Sequence, residues 1–237
     1  MTLTVCDIGR TRYADAWSLQ RGIFEGRLRG EVGDILLFTE HEHVYTFGKG
    51  GDENHLLAGD DELREKGVDV FRIDRGGDVT YHGPGQLVGY PILNLASYGE
   101  DIHRYLRNLE ESMIRSLADF GIQGGREEGM TGVWVKGEKI AAIGVKVSRW
   151  VTMHGFALNV NTDLSMFHRI IPCGIFHKGV TSMQALLGEP VPLERVQESL
   201  TRRFGEVFGC APVVVSASDL RDLLRLPPRQ EVVAQIH

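Results

Sequence analysis

Two strand-like runs, residues 131–135 and 139–147, are separated by only Lys136-Gly137-Glu138. So short a glycine-containing connection turns the chain back on itself and joins antiparallel neighbours, because a parallel pair needs a crossover of about a dozen residues or more. A sheet holding this hairpin is therefore not an all-parallel, doubly wound one. Residues 34–39 (D-I-L-L-F-T) read as a buried strand and 44–47 as another after a short polar turn. Residues 68–74 read as a strand entering a glycine-rich loop, 75–86, which a strand at 87–95 follows. Residues 150–159 continue the strand-rich stretch, and 213–215 read as one more short strand.

Helices are interspersed irregularly among these runs. Ile102, Tyr105, Leu106, Leu109, Met113, Leu117 and Phe120 fall on one face of a helix predicted at 101–120, with Gly121 ending it. Ala16, Leu19 and Ile23 mark an amphipathic helix within 11–30, and 193–208 is a further helix. The pattern predicts an α+β fold, a mixed β-sheet flanked by helices. The whole chain, 1–237, reads as a single catalytic-sized domain with a core at about 10–215 and a tail beyond Pro227 that carries weak packing signals.

Charge and cysteine content narrow the classes of function. The formal net charge is -6, so the basic excess that drives phosphate-backbone binding is missing and no nucleic-acid partner is expected. Arg21, Arg27 and Arg29 cluster locally, either as a dock for an acidic partner or as a solvated face. Three scattered cysteines, Cys6, Cys173 and Cys210, make neither a disulfide framework nor a C-x-x-C zinc site. No apolar run is long enough to cross a bilayer, and the first residues lack the basic and apolar regions of a signal peptide. The expectation is a cytoplasmic protein without membrane contact, in a reducing medium that leaves cysteines available for chemistry.

The chain has no GxxxxGK[ST] loop, no HExxH and no GxSxG. Gly83-Pro84-Gly85-Gln86-Leu87-Val88-Gly89 only superficially resembles a dinucleotide fingerprint: its third glycine is one residue late and a strand follows it. His41-Glu42-His43 and His55 lack the spacing of a full ligand set, so neither a metal nor another cofactor is expected. What stands out is Arg75-Gly76-Gly77-Asp78-Val79-Thr80-Tyr81-His82-Gly83-Pro84-Gly85, with four glycines in eleven residues. It reads as a ligand loop, where glycine lets backbone N–H groups approach closely; the alternative is a tight sheet corner with incidental polar side chains. Pro172-Cys173-Gly174 sets a cysteine on a loop of fixed backbone. Its thiolate is a candidate nucleophile that needs a cation, a base or a helix N-terminus beside it; the alternative is a buried, inert thiol. Lys139, Lys146, His82 and His154 are candidate activators. Lys139 opens the nearly uncharged run Ile140-Ala141-Ala142-Ile143-Gly144, so it points into a desolvated site or is an ordinary hairpin lysine. His168 and His177 flank the cysteine loop.

These segments, taken in order, resemble the lipoyl(octanoyl) transferases. The resemblance rests on R-G-G-x-V-T-Y-H-G-P-G-Q from Arg75, Lys139-Ile140-Ala141-Ala142-Ile143-Gly144, His154-Gly155-Phe156-Ala157-Leu158-Asn159 and Ile171-Pro172-Cys173-Gly174, with supporting segments from Glu40 to Gly48 and at Val180-Thr181-Ser182. It spans about residues 10–190. It implies the fold of biotin and lipoate protein ligases, and it implies transfer of an octanoyl group from octanoyl-acyl carrier protein to a lysine of a lipoyl domain, the first step of endogenous protein lipoylation. The acceptors it implies are lipoyl domains of 2-oxoacid dehydrogenase complexes and the glycine cleavage H protein. Matched motif by motif, Cys173 resembles the acyl-accepting nucleophile and Lys139 the residue that lowers its pKa or carries its proton. Substrate contact is implied for Arg75, Gly76, Gly77, Asp78, Val79, Thr80, Tyr81 and His82, for Ala142, Ile143 and Gly144, and for Gly155, Phe156 and Ala157. His41-Glu42-His43-Val44 departs from the prolines that family members often carry before this valine. An ATP-dependent ligase on the same scaffold, needing no nucleophilic cysteine, and a non-catalytic acyl- or carrier-binding module are the competing readings.

Overall fold

A computed structural model describes residues 1–171 and 179–224. Among the described residues the chain runs β1 (Thr2–Thr11), α1 (Tyr13–Arg29), β2 (Asp34–His41), β3 (Val44–Phe47), α2 (Asp60–Glu65), β4 (Asp69–Arg72), β5 (Val79–His82), β6 (Gln86–Ile92) and α3 (Ile102–Ala118). It continues through β7 (Gly125–Glu127), β8 (Met130–Val135), β9 (Glu138–Ser148), β10 (Val151–Asn159), α4 (Met183–Leu187), α5 (Leu193–Phe208), β11 (Ala211–Val215) and α6 (Ala217–Leu223). The large sheet has the order β11-β1-β2-β6-β10-β9-β8-β7, and a small one has the order β4-β3-β5. In the large sheet β1 pairs parallel with β2 and with β11, whereas the successive pairs from β2 to β7 are antiparallel.

The apolar run of β2 explains its central place. Leu36 and Phe38 point to the side covered by α3 and α5, while Ile35 and Leu37 point to the side covered by α1. A strand buried on both faces has no need of alternation, so its sequence is continuously apolar. Asp34 at its start is buried but fully answered: Arg27 Nε donates at 2.8 Å, the Asn94 amide at 3.0 Å and the Tyr98 hydroxyl at 2.9 Å. Arg27 is thereby committed to the fold, whereas Arg29 forms an exposed ion pair with Glu31 at 2.8 Å.

The expected hairpin is tighter than its three-residue spacing suggested. Val135 pairs with Glu138, leaving Lys136 and Gly137 as the turn, with φ of 50° and 84°. Both residues are in the left-handed region that a two-residue hairpin of primed type requires. The α3 helix begins at Asp101, whose carboxylate accepts from the Arg104 amide, as an N-cap does.

Two expectations are corrected, and one strand is added. Residues 75–86 are not one continuous loop: Val79–His82 form β5, antiparallel to β3, because Val-Thr-Tyr-His suits a pleated strand. The strand expected at 87–95 is Gln86–Ile92, and the chain then turns through a short 3-10 segment at Leu95–Tyr98. Residues 2–11 make a full strand between β2 and β11, a pairing fixed by partners far away in sequence.

Candidate active site

Where the small sheet approaches β6, β10 and β9 it leaves a cleft of about 580 Å³. Glycine permits the approach. A Cβ on Gly48 would lie 2.3 Å from the Gly77 carbonyl oxygen, and the Gly76 amide donates to Val145 O on β9 at 2.9 Å. The loop between β4 and β5 is therefore sewn to both sheets by its backbone. On the far wall a Cβ on Gly155 would stand 2.1 Å from Gly89 O, so β10 crosses β6 at a distance that other residues do not permit.

Residues 75–80 and His82, Ala142, Ile143 and Gly144 of β9, and Gly155, Phe156 and Ala157 of β10 all line this cleft, and Lys139 stands on the same wall. Tyr81 does not line it. Its side chain is fully buried in the core of the small sheet with Tyr45 and Val79, and its hydroxyl meets His43 Nδ1 at 2.7 Å; Val79, on the same face, lies nearer the cleft end of β5. Asp78 reaches the cleft, but its carboxylate is engaged within the loop, accepting from the Val79 amide at 2.7 Å and meeting His55 Nδ1 at 2.5 Å. The buried Arg75 guanidinium donates to Thr46 O at 2.5 Å and Gly76 O at 3.0 Å, which fixes the mouth of the loop.

The Lys139 ammonium lies over the Trp134 ring, 4.7 Å from its centroid. Its backbone pairs with the segment that follows the cysteine loop: the Lys139 amide donates to Gly179 O and the Thr181 amide to Lys139 O, both at 3.0 Å. Cys173, Gly174 and His177 lie outside the described residues. The chain is followed to Ile171, whose amide donates to His55 O at 2.8 Å, and is taken up again at Gly179. His168 is exposed on a 3-10 turn.

A chain of buried amides runs behind the cleft. Asn159 Nδ2 donates to Thr181 O at 3.1 Å, Gln86 Nε2 to Tyr81 O at 3.2 Å and to Asn159 Oδ1 at 2.9 Å, and Gln86 Oε1 faces His82 Nδ1 at 2.8 Å. His82 stacks on Tyr13 with ring planes 7° apart. Burial, with His41 nearby, lowers its pKa to about 3 against the opposing effect of the Gln86 bond, so the ring is neutral. His41 is likewise depressed by burial, to about 4; its Nε2 lies 2.6 Å from the Tyr90 hydroxyl and its Nδ1 3.2 Å from Thr11 O. The three histidines of the 41–55 stretch thus go to three different partners, and no metal-binding cluster is found among the described residues.

His154 and Lys146, both candidate activators by sequence, converge instead on Asp74. Lys146 Nζ lies 2.6 Å and His154 Nε2 2.8 Å from its carboxylate. Gln86 and Asn159 entered the sequence reading only as the last letters of two motifs, and Asp74 and Tyr13 had no role assigned, because each is chemically ordinary until the fold supplies its partner. The cleft joins an apolar part, with Val88, Phe156 and Ala157, to a rim of turned backbone, one lysine and neutral imidazole. Such a site suits an acyl chain carrying a reactive carbonyl.

Comparison with known proteins agrees in sequence and in fold. The family model of the lipoyl protein ligase A/B catalytic domain matches residues 12–205. An octanoyltransferase of Rubrobacter xylanophilus is 55% identical over 203 residues, which cover 85% of this chain and 91% of that protein. A bi-partite lipoate protein ligase of Thermoplasma acidophilum superposes with a TM-score of 0.74 at 19% identity, covering 95% of this chain and 91% of that one. Biotin protein ligase of Aquifex aeolicus, solved in complex with biotin and ATP, superposes with a TM-score of 0.53 at 14% identity, over 88% and 70% of the two chains.

Proposed function

Because the chain belongs to the lipoyl protein ligase A/B catalytic domain family, as an octanoyltransferase, we propose that it moves an octanoyl group from acyl carrier protein through a thioester on Cys173 to a lysine of a lipoyl domain. The acceptors are lipoyl domains of 2-oxoacid dehydrogenase complexes and the glycine cleavage H protein. The observation that carries this reading is a convergence. The glycine loop, β9 and β10 wall one cleft, and Gly179 and Thr181, a few residues after Cys173 in sequence, are backbone partners of Lys139.

The chemistry closes without an energy source. In the resting site Cys173 is a thiolate and Lys139 an ammonium. The thiolate sulfur attacks the donor thioester carbonyl, the donor C–S bond breaks, and Lys139 gives its proton to the departing thiolate. The neutral amine of the acceptor lysine then attacks the enzyme thioester. Its extra proton passes to Lys139, the Cys173 sulfur leaves as thiolate, and an amide remains. Thioester exchange is nearly isoenergetic and amide formation is downhill, so no nucleotide is consumed.

Intact-protein mass spectrometry after mixing the enzyme with octanoyl-acyl carrier protein and no ATP tests this. One octanoyl adduct is expected, absent from Cys173→Ala and discharged by apo lipoyl domain. Transfer that requires ATP and free octanoate, and that survives Cys173→Ala, means a ligase mechanism instead.

A further inference from the structure

The amide chain behind the cleft has only one consistent orientation. Thr181 O and Tyr81 O are backbone carbonyls and can only accept, so the nitrogen ends of Asn159 and Gln86 must face them. Asn159 Oδ1 is then an acceptor for Gln86 Nε2, and Gln86 is left with its Oε1 turned to His82. An amide oxygen cannot donate, so the hydrogen on His82 sits on Nδ1. In a neutral ring Nε2 then carries a lone pair. Among the described residues the one hydrogen bond of the ring is at Nδ1, and His82 lines the cleft.

We infer that His82 Nε2 is the hydrogen-bond acceptor that holds one N–H of the incoming lysine amine and aims its lone pair at the acyl carbonyl, with Gln86 and Asn159 as positioning residues that keep His82 in the required tautomer. This rests on the thioester reading above. It divides the work on the attacking nitrogen between two side chains. A neutral amine brings two hydrogens: Lys139 takes the proton lost as the amide forms, and His82 holds the N–H that the amide keeps. The division suits the surroundings of His82. A ring buried against Tyr13, His41 and Arg75 resists protonation, so it accepts a hydrogen bond without removing the proton. A neutral ring also attracts a lysine that is still an ammonium less than a carboxylate in the same place would, so the reactive neutral amine is not traded for a tightly held cation. The far end of the amide chain, Thr181, is the residue whose amide bonds to Lys139 O, so one network spans both groups.

The test has two readouts. Long-range proton–nitrogen correlation spectra of the full-length ¹⁵N-labelled enzyme, with the His82 signal assigned by its loss in His82→Gln, report the tautomer directly. The Nδ1–H form is expected in wild type and a mixture of forms in Gln86→Met; an Nε2–H form in wild type overturns the inference. Second, octanoyl-enzyme prepared from octanoyl-acyl carrier protein is mixed with apo lipoyl domain and its discharge followed by intact mass. His82→Phe is expected to slow discharge about tenfold or more, by a larger factor than it slows loading. His82→Gln, whose side-chain oxygen can accept from the same position, is expected to recover part of that rate. Loading followed by wild-type discharge in His82→Phe overturns the role of His82 and leaves the thioester reading standing. A wild type that never loads overturns both, while the spectrum still reports the tautomer.

Discussion

His154 Nε2 lies 2.8 Å from Asp74 Oδ1, and the backbone that delivers it there stands at φ 61° in the middle of β10. A residue with a side chain is held in the left-handed region at some cost, so the contact repays local strain. Glycine at this position removes both the contact and the strain, whereas alanine removes only the contact. His154→Gly should therefore be more stable than His154→Ala by about 1 kcal/mol. Chemical denaturation of the two variants measures the difference, and equal stabilities would mean that the strain is absent.

Asp74 is the other half of that contact. Burial would raise its pKa, but hydrogen bonds from His154 and Lys146 outweigh this and hold the carboxyl at about 2. A carboxyl depressed on folding adds stability above its unfolded pKa and loses it as pH falls through the folded value. Asp74→Asn should thus cost stability at neutral pH, with the gap to wild type narrowing below pH ~4. Melting temperatures at neutral and acid pH check the sign.

The buried imidazoles act over a different range. His41 and His82 are held at about 4 and about 3, below the ordinary 6.5. As pH falls below that value the unfolded chain takes up protons before the folded one, so the folded state loses ground. The expected loss approaches about 1.4 kcal/mol per pH unit for each ring between its unfolded and folded pKa. Urea unfolding at pH 7 and pH 5 should show it, and His82→Gln should flatten the slope. A wild-type stability that does not change over this interval counts against both assignments.

How much of this was legible beforehand follows from what each feature depends on. The hairpin at Lys136-Gly137 and the doubly buried run of β2 are written locally, in turn chemistry and in a stretch of apolar residues. The β1 strand is not: its pairing joins residues 2–6 to 211–215, and no local pattern records so distant a partner. The cleft residues were recognisable as blocks of motif, yet Tyr81 sits inside one of those blocks and is buried in the core of the small sheet instead, because packing decides where a side chain goes and motif membership does not. Gln86 and Asn159 are 73 positions apart and become a relay only once β6 and β10 are neighbours.

Glu110 tests the β8 side of the site. Its carboxylate is buried on α3 and accepts from Arg107 at 2.7 Å, Arg126 at 2.9 Å and the Gly132 amide at 3.1 Å, so it ties β8, which carries Trp134, to the helix. Glu110→Ala leaves the Gly132 amide unanswered and opens a void, at a cost of about 2 kcal/mol or more. Arg107→Ala removes a half-exposed partner and should cost well under half as much. A thermal melt of the pair ranks them; the reverse order would mean that the arginine and not the carboxylate holds the strand.

The role proposed for Lys139 separates into two properties that substitution can pull apart. As a cation it favours the Cys173 thiolate; as a weak acid it must also give up a proton and take one back. Arginine keeps the first property and lacks the second, because a guanidinium does not deprotonate in a protein. Lys139→Ala should therefore shift the pH dependence of Cys173 alkylation upward and also slow turnover. Lys139→Arg should leave the alkylation profile near that of wild type while turnover falls by about 10²-fold or more, the usual contribution of a positioned acid–base group. Iodoacetamide labelling against pH, read by mass, follows the thiol, and steady-state transfer follows turnover. If Lys139→Arg transfers octanoyl groups at the wild-type rate, Lys139 supplies charge alone and another group moves the proton.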